Sequence, residues 1–117
     1  MLPLKKDFSE YLRKECHYAP ASVWVHVTFL TKLKNLFFCF LFDEDVFDVI
    51  ADDDDWESTS SMLRDMIELV DIEIELVEND LPDKRSVALS VADLKRGQQA
   101  LCKYYDFLKY RVKQKHA

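Results

Sequence analysis

Three features of the chain predict an all-α fold. One glycine and three prolines in 117 residues leave too few turn formers for a sandwich or barrel. Apolar residues recur three and four apart over long uninterrupted stretches. A hydrophobic content of 49%, with 13% aromatic, supplies a core and removes the chain from the disordered class. The length suits one domain, residues 1–117. The expected architecture is a compact bundle of four main helices plus one short helix.

The first helix is expected from about Lys5 to Cys16, with Pro3 at its approach and Phe8, Tyr11 and Leu12 on one face. His17–Ala21 should break it, because the residue before Pro20 avoids helical geometry. The second helix starts at Pro20 or Ser22 and carries an apolar stripe, Val23, Val27, Leu30, Leu33, Phe37 and Leu41. Its last seven residues, Leu36–Phe42, are apolar all round and too few to span a bilayer. Asp43-Glu44-Asp45 suits the positive end of a short helix holding Val46, Phe47, Val49 and Ile50.

Asp52–Asp55 reads as a solvated acidic loop. After Trp56, Ser58, Thr59 or Ser60 is expected to cap a third main helix, whose core stripe is Leu63, Met66, Ile67, Val70, Ile74 and Val77. Ile72-Glu73-Ile74-Glu75-Leu76 alternates as a strand would, but helical spacing without Gly or Pro runs through all of Glu57–Asn79. Leu81-Pro82-Asp83 ends that helix. The last helix is expected from Val87 or Ser90 to near Lys113, with Leu94, Gly97, Leu101, Tyr104 or Tyr105, Leu108 and Val112 on one face. Gly97 costs about 1 kcal/mol of helix propensity against alanine, and close approach of a neighbouring helix would offset it.

Charge is divided unevenly along the chain. Residues 1–42 carry net +3, residues 43–83 net −16 with Arg64 as the lone cation, and residues 84–117 net +7, so the overall −6 conceals two basic ends. Such a chain can still present a basic face if its ends lie together and the acidic stretch points elsewhere. Cys16, Cys39 and Cys102 are odd in number and form no C-x-x-C pair, which suggests reduced thiols in a cytoplasmic protein, with Cys39 acting as a small hydrophobe. No apolar run near the start has the form of a secretory signal.

Catalytic chemistry is hard to assemble from these residues. His17, His26 and His116 are far apart and lack zinc spacing. A single glycine cannot build a phosphate-cradling loop, and Asp52–Asp55 lacks the alternation and glycine of an EF-hand. No cofactor or metal is expected, and the chain reads as non-enzymatic. Two polar helix faces could instead meet a polyanion: Thr28, Thr31, Lys32 and Asn35 on the second helix, and Lys95, Arg96, Gln99 and Lys103 on the last. Cations contact phosphates, and amide side chains can read base edges.

Asp7-Phe8-Ser9-Glu10-Tyr11-Leu12, then Tyr18-Ala19-Pro20-Ala21-Ser22-Val23 with Val27, Leu30 and Leu33, resembles the opening of the N-terminal SAM-like core-binding domain of tyrosine recombinases, the phage integrase family. Ala100–Leu108 is similar to that domain's closing helix. The resemblance implies a helical clamp on one side of duplex DNA, with Lys32, Asn35, Lys95, Arg96, Gln99 and Lys103 as contacts. It also implies that this chain does not cut or join DNA alone, since the family's catalytic Arg, His-x-x-Arg and Tyr belong to a separate domain. Ala19 and Ser22 depart mildly from the family's Ser and Thr, Val27 stands where an aromatic is common, and the acidic middle is unusual for a DNA clamp.

Two other readings compete. One is a helical protein-interaction module or homodimer docked through Leu36–Phe42 and Trp56, against the simpler expectation that Phe37, Phe40 and Phe42 fill the core. The other is an acidic decoy in which residues 43–83 mimic DNA, against a merely solvated surface. No membrane association is expected.

Overall fold

A computed structural model describes residues 2–42, 45–52, 55–79 and 89–115. Among them the secondary structure is helical throughout: α1 is Lys5–Lys14, α2 runs Pro20–Leu41, α3 is Val46–Asp52, α4 is Trp56–Glu78 and α5 is Val91–Lys115. The four long helices and one short one match the all-α expectation. The expected cues at Asp43, Glu44, Leu81-Pro82-Asp83 and Val87 lie outside the described residues.

α1 stops two residues earlier than its apolar spacing suggests, and Pro20 is not the cause. His17 adopts the left-handed region at φ 57, and the Tyr18 N–H reaches back to the Leu12 carbonyl at 3.0 Å. That bond, with the six-to-one bond from the Cys16 N–H to the Tyr11 carbonyl at 3.3 Å, closes the helix end. Pro20 then opens α2, where its missing N–H costs nothing. Within α2, Lys34–Phe38 forms a π turn, a widened stretch that shifts the phase of the residues beyond it. Phe37 and Phe38 consequently point into the core, while Cys39 and Phe40 face solvent. Two expectations are thereby corrected: Phe40 is 54% exposed rather than core, and the Cys39 thiol is exposed rather than packed as a hydrophobe.

Asp55, not a serine or threonine, caps α4. Its carboxylate accepts from the Glu57 N–H at 3.1 Å, so the helix begins at Trp56. Ser60 turns inward to donate to the Glu57 carbonyl, and buried Thr59 contributes no cap. The alternating Ile72–Leu76 segment is helix, with Ile74 buried and Ile72 exposed. Ser90 and Asp93 bond each other's backbone N–H groups and start α5 by a reciprocal cap.

α5 is the axis of the fold. α2 and α1 pack along one flank and α4 along the other. Gly97 sits against Leu33, where a Cβ would lie 3.3 Å from that side chain, so the glycine lets α5 and α2 approach closely. Below this contact Tyr104, fully buried, meets Phe8 and Phe47 edge to face and Phe107 at a tilt, forming an aromatic cluster. Its hydroxyl donates to the Pro3 carbonyl at 2.8 Å and pins the chain's beginning to α5. On the opposite flank the Gln98 amide donates to the Ile67 carbonyl and the Asp71 carboxylate, and Trp56 packs at a tilt against Tyr105.

Candidate nucleic-acid interface

The eight residues singled out from the sequence divide into two groups once the helices pack. Lys32, at the edge of α2, places its ammonium 4.8 Å above the Phe29 ring. Arg96, across the seam on α5, lies 5.2 Å above the same ring. Two helices distant in sequence thus meet over one buried phenyl ring, whose negative face tolerates both cations. Two turns further along α5, Lys103 lies 5.7 Å from the Tyr18 ring. Partial burial would lower the Lys103 pKa, but the neighbouring Tyr18, Cys16 and Asp106 outweigh that and hold its ammonium above the ordinary lysine range. It is therefore a permanent cation at physiological pH.

None of Lys32, Arg96 and Lys103 has a carboxylate within ion-pair distance among the described residues. Lys95 differs. It projects toward α4 and pairs with Glu78 at 3.3 Å, on the far side of α5 from the α2 seam. Gln99 is exposed on the outer surface of α5. On α2, Asn35 is exposed, while Thr28 and Thr31 are half-buried. The Thr31 hydroxyl donates to the Val27 carbonyl at 2.7 Å, so its proton serves its own helix.

Lys34 is likewise neutralised. It bonds Asp45 at 3.0 Å, and although burial alone would raise the Asp45 pKa, the Lys34 hydrogen bond and charge hold it below the ordinary carboxylate value. Both ion-paired lysines thus face the acidic stretch, whereas Lys32, Arg96 and Lys103 along the α2/α5 seam have no such partner among the described residues.

Sequence reasoning passed over a second surface. α1 and α2 pack together and leave a groove between them, floored by Pro20, Val23, Trp24 and Val27 and bordered by Lys5, Lys6, Arg13, Ser9, Glu10 and Thr28. Trp24 is 66% exposed there. The signal was present as a tryptophan off the apolar stripe of its helix. Leu36–Phe42 and Trp56 form no single patch: Phe37 and Phe38 are buried, Trp56 packs on Tyr105, and only Cys39 and Phe40 of that run are exposed. No single helix among the described residues is long and apolar enough to cross a membrane. No family model, curated protein or solved structure matches this chain.

Proposed function

We propose that the chain binds duplex DNA as a non-catalytic positioning module, in the manner of the SAM-like core-binding domain of tyrosine recombinases that its two ends resemble. The observation that carries this reading is the row formed by Lys32, Arg96 and Lys103 along the α2/α5 seam, held over aromatic rings and without a carboxylate partner among the described residues. Cations already satisfied by carboxylates would have to break those pairs to meet phosphate; these three do not. Asn35 and Gln99 are exposed on the same two helices and would supply amide contacts to base edges or sugar. Lys95 contributes less than its position in sequence suggests, because Glu78 holds it on the other flank. The acidic outer face of α4 lies across α5 from this row, so the surface meeting the duplex does not have to overcome it directly.

The test is a fluorescence-anisotropy titration of duplex DNA at several salt concentrations. Each phosphate contact made by a cation contributes about −0.9 to the slope of log affinity against log salt. Replacing Lys32, Arg96 and Lys103 together by alanine should therefore flatten the slope by about 3 and leave the circular-dichroism spectrum unchanged. A folded wild-type chain that binds no duplex at low salt overturns the proposal, as does a triple variant that binds with the original slope.

A further inference from the structure

The groove between α1 and α2 has a different character from the seam. Its floor is apolar, its most prominent residue is an exposed tryptophan, and Lys5, Lys6 and Arg13 stand at its rim against a single carboxylate, Glu10. Tryptophan and arginine are the residues that most often dominate binding energy at interfaces, and the groove holds one of each. On the other flank of the molecule, the outward face of α4 presents Asp65, Glu68 and Glu75, with Arg64 as its one cation, around Ile72, which is 48% exposed. Ile72 and Trp24 are two of the three large apolar side chains that stand exposed among the described residues. One lies at the centre of an acidic convex helix face, the other in a basic concave groove.

We propose that the α1/α2 groove receives the α4 outer face of a second copy of this chain. The charges are complementary, and the apolar knob of one surface matches the apolar floor of the other. The two surfaces lie on opposite flanks of α5, so one copy can use both at once. The contact is therefore heterologous, head to tail, and propagates into chains or closes into a ring instead of stopping at a two-fold dimer. It is also salt-sensitive, because charges at a solvent-exposed rim are screened over about 10 Å at 0.1 M ionic strength.

Sedimentation velocity without nucleic acid tests this. Wild-type chain at low salt should show a weight-average mass that climbs with concentration and falls back toward monomer at about 0.5 M salt. Trp24→Glu blocks the groove and Ile72→Arg blocks the knob; both positions are exposed, so neither change disturbs the core. Each variant alone should associate at least about 10-fold more weakly than wild type. An equimolar mixture should form a pair of twice the monomer mass that grows no further, since Ile72→Arg keeps its groove and Trp24→Glu keeps its knob. A wild-type chain that stays monomeric at every concentration overturns the proposal. So does a mixture that fails to pair while wild type associates, which is the signature of a self-complementary interface. Quenching of Trp24 by a short single-stranded oligonucleotide in a monomeric chain would assign the groove to stacked bases instead.

Discussion

The two flanks of α5 are closed by opposite means. Toward α2 the contact is apolar and close: Gly97 removes a side chain so that Leu33 can lie against the backbone. Toward α4 the helices are joined by a polar bridge, Gln98 to Ile67 and Asp71, and by the tilted Trp56–Tyr105 ring contact. The apolar seam expels water and leaves its border cations to project outward over aromatic rings. The polar seam lies beside the acidic helix and draws a lysine, Lys95, into an ion pair. The same residue type therefore has two fates on one helix, decided by which neighbour lies across the seam.

Leu33→Ala probes the apolar seam most severely. It should cost about 3 kcal/mol in urea unfolding, through lost burial and the cavity left behind. Adding Gly97→Ala in that background should recover about 1 kcal/mol of helix propensity, because the new methyl group then has room. The same change in wild type should gain less, since Leu33 must shift by a few tenths of an ångström to admit it. Equal gains in both backgrounds would show that the seam is looser than described.

Tyr104→Phe, deep in the same half of the molecule, should cost about 1 kcal/mol by removing the hydrogen bond to Pro3. Burial, the largest influence, raises the Tyr104 pKa well above its ordinary value. A raised folded pKa means that the neutral phenol's contribution is complete below the unfolded value of about 10 and is lost as pH rises beyond it. Wild-type stability should therefore decline above that pH more steeply than that of Tyr104→Phe. Parallel decline in the two proteins would place the alkaline sensitivity elsewhere.

On the polar flank, Asp55→Ala should cost about 1 kcal/mol by uncapping α4, measured as a lower thermal midpoint. A Ser58→Ala change should leave that midpoint unmoved, because Asp55 and not Ser58 holds the cap. The smallest effect belongs to Lys95→Ala. Both partners in its ion pair are about half exposed, so stability should change by no more than about 0.5 kcal/mol.

Apolar spacing in the sequence was enough to identify the helices and most of the core, because burying one stripe per helix is a local demand. Leu30, Leu33, Leu63, Met66, Val70, Leu94 and Leu101 are buried as their spacing requires. Gly97 was legible for the same reason: a lone glycine on an apolar helix face points to a close neighbour. The π turn was not legible. Nothing in Lys34–Phe38 breaks the helical pattern, yet the widened turn rotates Phe40 outward. The cap of α4 was misplaced because a run of hydroxyl residues, Ser58 to Ser61, follows Trp56 and an aspartate precedes it, and all suit a helix start.

The candidate site divides in the same way. The sequence by itself determined that cations concentrate at the two ends and carboxylates in the middle, since charge order along a chain is a covalent fact. Only the tertiary structure decided that Lys32 and Arg96 share the Phe29 ring while Lys95 turns to Glu78. Adjacent residues on a helix point about 100° apart, so neighbours in sequence can face different partners. Which partner stands there depends on how the helices pack around α5, and that is set by the whole core.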